Sequence, residues 1–335
     1  MKRIISLLLA LALSLSLAAC AAPAEKADGG KLQIVTTLFP YYDFARAIAQ
    51  DRADVTLLLS PGREAHSFEP TPLDAVTISE ADVFLYNGGE GEYWVESMLD
   101  AAGEHIAVAS RMMDYVDALN EEYVEGMQGA DGHDHDHEHG SHDDHDHDHE
   151  EDEHDSDEVE YDEHIWTSPK NAVVLCRAVC GAICRADAEN AAFYRANCEN
   201  YCAQLEDLDA RFAALCESTP RRLLIFADRF PMLYFCREYG LDYRAAFHGC
   251  SGDTEPSLAT IKFLIDKVED ENIPVVYTID FGTKKVAAVV SECTGAAIET
   301  LFSMQTVSRA DFDAGETYLT LMERNFEALR KGLNA

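Results

Sequence analysis

Residues 133–150 read HDHDHEHGSHDDHDHDHE, eight histidines among carboxylates with no apolar residue between them. Imidazoles and carboxylates are the ligands of borderline and hard divalent cations. The stretch has nothing to bury, so it cannot offset the entropy of ordering. It is expected to be a disordered loop that holds several ions, each weakly. A tighter centre needs donors that a fold holds in place. Five residues stand where such a centre could form: His66, His164, Asp228, His248 and Asp280. Two histidines with one or two of these carboxylates would suit zinc. They would also suit manganese, which accepts more oxygen.

The elements that must position these residues follow from periodicity. Short β-rich runs fall at 32–37, 55–59, 83–86 and 106–108, then at 223–226, 243–247, 274–279 and 298–301. Helical patterns fall between them, at about 42–50, 71–79, 92–102, 231–239, 256–271, 283–294 and 313–332. Strands alternating with helices predict α/β architecture with parallel sheets. Four strands on each side of a long interruption predict two lobes. In open α/β sheets, ligands bind beyond the C-terminal ends of strands. That rule singles out His66 after 55–59, Asp228 after 223–226, His248 after 243–247 and Asp280 after 274–279. His164 lies in YDEHIW, just before a helix start at Ser168-Pro169. From 169 to about 217 the chain reads as helix, with a break near Asp187. The second piece, of about 30 residues, would span on the order of 45 Å and should limit hinge opening between the lobes. The expected plan is a signal peptide at 1–19 and a tether at 20–31. An N-terminal lobe follows at 32–187, with its loop at 131–160. A linking helix at 188–217 then leads to a C-terminal lobe at 218–335.

Charge and termini narrow the function further. The formal net charge is −36, and half of it sits in residues 131–163, which hold 18 Asp plus Glu and no Lys or Arg. Nucleic-acid binding is not expected, because a basic patch is its electrostatic footprint. At the N-terminus, Lys2 and Arg3 precede an apolar run at 4–17, which is short for a membrane span and resembles a secretory signal. It ends in Leu17-Ala18-Ala19-Cys20, which resembles the bacterial lipobox. Cleavage before Cys20 and lipidation of its thiol would anchor a soluble monomer to the outer face of the cytoplasmic membrane. Of the other nine cysteines, Cys176, Cys180 and Cys184 recur every fourth residue, as do Cys198 and Cys202. That spacing puts each group on one helix face, where neighbours are poorly placed for a disulfide. They read as small core residues. A thiolate zinc site is the alternative, although no C-x-x-C pair supports it.

Several longer stretches carry a resemblance: IVTTLFPYYDFARAIA (34–49), SPGREAHSFEPTPLD (60–74), YNGGEGEYWVESML (86–99), DEHIWTSPKNA (162–172) and AGETYLTLMERN (314–325). Together they resemble the metal-binding lipoproteins of bacterial zinc and manganese ABC importers, the ZnuA-like family. The resemblance runs from about residue 32 to the C-terminus. It implies two α/β lobes joined by a rigid helix, with one metal between them. It also implies delivery of the ion to a permease driven by a cytoplasmic ATPase. On the family pattern, His66 in P-G-x-x-x-H-x-F-E-P is the first ligand and His164 in D-E-H-I-W the second. At the third position zinc-type relatives have a histidine and manganese-type relatives a glutamate. Here the stretch is FADRFP (226–231), and Asp228 is its only available donor. Asp228 could instead cap the helix that Pro231 helps to start. Asp280 sits close to the family's final acidic ligand, and His248 is a weaker substitute.

Zinc-type members often carry a His-rich loop before the second ligand. On that pattern His133, His135, His137, His139, His142, His145, His147, His149 and His154 would gather zinc for His164. The chain shows no P-loop and no G-x-S-x-G, and it is expected not to be an enzyme. A zinc hydrolase built on His66, His164 and an Asp, and an adhesin acting without a permease, are the rivals from other classes.

Overall fold

Eight strands form two four-stranded sheets, each parallel throughout, in a computed structural model that describes residues 30–63, 68–102, 106–128, 160–249 and 255–334. The first sheet contains β1 (Leu32–Thr36), β2 (Ala53–Leu57), β3 (Val83–Tyr86) and β4 (Val108–Arg111), in the order β2-β1-β3-β4. The second contains β5 (Leu223–Phe230), β6 (Asp242–His248), β7 (Val275–Ile279) and β8 (Ala297–Leu301), in the order β6-β5-β7-β8. Sheets covered on both faces read as continuous apolar runs, and every residue of β7 (VVYTI) is buried. In each sheet the strand order reverses beside the first strand, between β1 and β3 and between β5 and β7. Ligands collect at such reversals. Thr37 and Asn87 therefore flank one candidate crevice, and Asp228 and Asp280 the other.

Helices α1 (Phe39–Ala49), α2 (Pro72–Ser79) and α3 (Trp94–Ala102) cross over in the first lobe. Thr71 caps α2 in a capping box with Asp74, and Pro72 opens the helix. Helix α4 (Pro169–Ala186) then packs on the first lobe, and α5 (Ala191–Ser218) connects it to the second. Ser168 caps α4 by accepting from the Asn171 N–H. The 28 residues of α5 span about 42 Å. The second lobe carries α6 (Leu233–Tyr239), α7 (Leu258–Asp270), α8 (Lys285–Thr294), α9 (Arg309–Ala314) and α10 (Tyr318–Leu333). The architecture is the expected pair of parallel α/β lobes joined by a long helix.

The lobes do not merely touch. Helix α5 packs on α1 of the first lobe and on α6 and α10 of the second. One apolar core runs from Ile34, Phe44 and Phe84 through Trp166 and Phe212 to Phe226, Tyr277 and Tyr318. A smaller cluster around Ile225, Phe247, Leu264 and Val290 completes the second lobe. Across the seam, buried Asp43 of α1 accepts a hydrogen bond from the Tyr201 hydroxyl of α5 (2.6 Å) and another from the Tyr318 N–H of α10 (3.0 Å).

Three local expectations are corrected. Strand β2 ends at Leu57, because Leu58 and Leu59 are buried loop residues whose N–H groups still donate to Thr36 and Thr37. The pattern at 313–332 is two helices, since Gly315 closes α9 in a left-handed conformation and Thr317 opens α10 with its own capping box. Strand β5 continues past Phe226 to Phe230, with a shift in register between Phe226 and Arg229. Asp228 therefore sits on a strand bulge. It caps no helix: the N-cap of α6 is Met232, with no side-chain bond.

Candidate metal centre

His164 is the most firmly placed candidate among the described residues. It is 1% exposed and opens a 3₁₀ turn at Ile165–Thr167. The Asp162 carboxylate accepts the His164 backbone N–H at 2.7 Å and lies 3.1 Å from Nδ1. A ring that donates from Nδ1 to a carboxylate presents Nε2 as its coordinating nitrogen, an arrangement common for metal-ligating histidines. Burial pushes the imidazole down. The Asp162 carboxylate outweighs it, Glu163 and Glu121 add to the effect, and the ring titrates above the usual histidine range. The ring lies at the seam of the lobes: a Cβ at Gly249, just past β6, would stand 3.1 Å from its Cε1 and Nδ1. The Tyr234 hydroxyl of α6 donates to the Asp162 carbonyl at 2.8 Å. Second-lobe atoms thus hold the first-lobe segment.

Asp280 follows β7 directly. Burial pushes its carboxyl up to about 6, against a hydrogen bond from the Ser303 N–H at 3.2 Å. The Ser303 carbonyl accepts the Trp166 indole N–H at 2.7 Å. Trp166 in turn stacks edge-on against His164, with centroids 5.6 Å apart. One residue therefore ties the Asp280 turn to the His164 segment across the seam.

Asp228 stands on the other side of the same turn. Its carboxylate accepts from the Thr278 hydroxyl (2.7 Å), the Arg229 N–H (2.9 Å) and the Ile279 N–H (3.4 Å). A Cβ at Gly282 would fall 1.7 Å from its Oδ2, so only glycine fits the turn above it. These bonds hold the segment that presents Asp280. His164, Asp228 and Asp280 do not by themselves bring three donor atoms within 4.8 Å, whereas Glu121, Glu160 and His248 do. His248 therefore belongs to a second group, in which its Nδ1 pairs with Glu121. Asn120 and Tyr161 form a short antiparallel bridge that sets the two glutamates side by side. Glu160, expected at the end of the loop, is part of this paired segment, and its carbonyl accepts the Glu121 N–H at 2.8 Å.

A small cavity of about 20 Å³ lies where the first sheet's strand ends meet the seam. Thr37, Leu59, Phe68, Asn87, Glu92 and Glu163 line it, and Gln305 closes it from the second lobe. Burial pushes Glu92 up to about 7 and raises Glu163 as well. The Gly91 N–H donates to Glu163 at 2.7 Å, and Asn87 Nδ2 donates to the Glu163 carbonyl at 3.0 Å. Asp162, Glu163 and Glu121 set a potential at His164 that favours a cation. His66, Cys20 and the nine histidines from His133 to His154 lie outside the described residues. Sequence reasoning missed Asp162, although an acid two residues before a candidate histidine was a readable signal. It also missed Glu121 and Glu160, which only the pairing of 120 with 161 brings to His248. No helix among the described residues is long and apolar enough to cross a membrane.

Two parallel α/β lobes seamed by a long helix are the fold of metal-dependent binding proteins. The chain superposes on the metal-dependent lipoprotein YcdH of Bacillus subtilis with a TM-score of 0.72, at 29% identity over 90% of this chain and 100% of that one. The Zn(II)-bound ZnuA-like domain of Streptococcus pneumoniae AdcA gives a TM-score of 0.71, at 25% identity over 91% and 100%. Residues 34–332 match the family described as zinc-uptake complex component A, periplasmic, and the chain belongs to that family. It is 31% identical to the high-affinity zinc uptake system protein ZnuA of Bacillus subtilis, over 91% of this chain and 88% of that protein. It is 30% identical to the zinc-binding lipoprotein AdcA of Streptococcus pneumoniae, over 99% of this chain but only 61% of that longer protein.

Proposed function

We propose that the chain captures zinc outside the cell and delivers it to a membrane permease driven by a cytoplasmic ATPase. The observation that carries this reading is His164, a buried imidazole braced by Asp162 at the seam of two lobes, in a member of a zinc-uptake family. The proposed ligands are His66, His164 and Asp280, with Asp228 either completing the set or holding the 279–282 turn from behind. Such a site is richer in oxygen than one with three histidines, and manganese is its natural competitor.

The histidines from His133 to His154 gather zinc weakly, and Glu121, Glu160 and His248 at the roots of that segment extend the donors toward His164. Lipidation at Cys20 holds the chain on the outer face of the cytoplasmic membrane, after removal of residues 1–19. The lobes are taken as 32–187 and 218–335, with 188–217 between them. The chain does no covalent chemistry of its own.

Calorimetric titration with zinc and with manganese tests this reading on the mature protein lacking residues 131–158. One tight zinc site is expected, lost in His66→Ala and His164→Ala and weakened in Asp280→Ala. Asp228→Ala separates its two roles: a ligand changes the binding enthalpy and proton release, whereas a brace changes thermal stability first. Absence of any tight site without residues 131–158 would overturn the inter-lobe centre.

A further inference from the structure

Five of the eight described cysteines face one another between two helices that contribute nothing to the centre above. Helix α4 carries Cys176, Cys180 and Cys184, and α5 carries Cys198 and Cys202. Spacing of i, i+4 puts each set on one face, and the two faces pack together. The Sγ atoms of Cys176, Cys198 and Cys202 lie within 4.8 Å of one another, all three buried. The Cys198 and Cys202 sulfurs are 3.8 Å apart. Packing alone asks only for small apolar volume at these positions, which alanine also supplies. Convergence of three sulfurs from two helices is a stricter arrangement.

One separation, Cys198 to Cys202, has the dimension of a metal site. With metal–sulfur bonds of about 2.3 Å, three thiolates in a trigonal set stand about 4.0 Å apart, and two on a tetrahedral edge about 3.8 Å apart. A cavity of about 320 Å³ reaches one of the three, Cys198, and is lined also by Cys180, Cys184, three arginines and Glu199. Arg177 and Glu199 are largely exposed, so the cavity joins solvent to sulfur. Hydrogen bonding among the three thiols, with burial, holds Cys176 and Cys198 above their usual value and, with the charge of Arg177, holds Cys202 below its own. A thiolate, not a thiol, is what a metal binds.

We propose that Cys176, Cys198 and Cys202 form a trithiolate site for a thiophilic d¹⁰ cation such as Zn²⁺, Cd²⁺ or Cu⁺, with its fourth position toward Cys180 and the cavity. Each thiol releases its proton to solvent as its metal–sulfur bond forms, and nothing is oxidised or reduced. The site is independent of the inter-lobe centre and of the proposed transport role.

Cadmium is the probe, because sulfur-to-cadmium charge transfer gives an ultraviolet band that histidine and carboxylate ligands cannot produce. The mature protein is reduced, kept free of oxygen and titrated with Cd²⁺. One equivalent of the band is expected in the unmodified chain and in His164→Ala. The band should be unchanged in Cys293→Ser, which removes the one exposed thiol among the described residues, and lost in both Cys202→Ser and Cys198→Ala. Added Zn²⁺ should bleach it. No band in the unmodified chain overturns the proposal, whatever the variants do. So does a full band in folded Cys202→Ser or Cys198→Ala, or its loss in Cys293→Ser.

Discussion

At the scale of residues, burial sets Asp280 and Glu92, two carboxyls near the seam, apart from ordinary acids. Asp280 can ligate only as a carboxylate, and its carboxyl is pushed up to about 6 by burial. Below that pH a proton competes with zinc at this group, costing about tenfold in affinity per pH unit. Protons on His164 steepen the fall. Zinc competition against a chromophoric chelator between pH 5 and 7.5 should show this, with Asp280→Asn weaker at pH 7 and one proton shallower below pH 6. Equal slopes in the two proteins would remove Asp280 from the ligand set. Glu92 makes a complementary case for stability. Its folded value is about 7 against 4.5 unperturbed, so the native state binds more protons between those values and stability falls as pH rises through them. Glu92→Gln copies the protonated form and keeps an acceptor for the Gly88 N–H. The variant should match the parent below pH 4.5 and exceed it above pH 7, by up to about 3 kcal/mol. Denaturant midpoints at pH 4.5 and pH 8 read this directly.

At the scale of elements, the seam depends on polar clasps that no local pattern reveals. Asp43 joins α1, α5 and α10 through Tyr201 and Tyr318. Truncation leaves a buried hydroxyl and a buried N–H without their acceptor, and hydrogen bonds to a charged group are among the costlier to lose. Asp43→Ala should therefore cost about 3 kcal/mol in urea unfolding, and Asp43→Asn clearly less, because an amide oxygen can still accept. A neutral effect of Asp43→Ala would mean that the three helices hold together by apolar packing alone. The same contrast explains how much could be read beforehand. Strand β3 was legible to the residue, because a buried parallel strand is an uninterrupted apolar run. The alternation of strands with helices was legible too, but β4 falls at Val108–Arg111 and not at 106–108, because VASR carries little apolar signal. Asp228 was misplaced, since FADRFP carries turn-like residues, whereas pairing with β6 keeps Arg229 and Phe230 in the sheet. Ser303 and Glu121 were invisible as partners because each acts across a gap that only tertiary packing closes, whereas Asp162, two residues before His164, was readable and was missed. The i, i+4 cysteines announced their helix faces, but not that the faces would meet.

At the scale of the molecule, the question is whether zinc capture swings the lobes. Domain closure needs an interface that can open without exposing much apolar surface. Here one core is continuous through both lobes, with Trp166, Phe212 and Tyr318 fully buried along its path. Helix α5 bridges both lobes, and Asp43, Tyr234 and Ser303 pin the seam at separate points. Opening it would strand several aromatic side chains in water, at roughly 1.5–3 kcal/mol each. Zinc is therefore expected to bind with the lobes already docked. X-ray scattering on the chain lacking residues 131–158 should give the same radius of gyration with and without zinc, near the ~20 Å of a compact chain of this size. Binding must still stabilise by mass action, by about 4 kcal/mol at a thousandfold excess over the dissociation constant. A rise in melting temperature without contraction is thus the expected pair of results. A resolved contraction on zinc binding would mean that the seam opens in the apo protein. In that case Asp43→Ala should enlarge the contraction, since it removes the clasp that links the first-lobe helix to both α5 and α10.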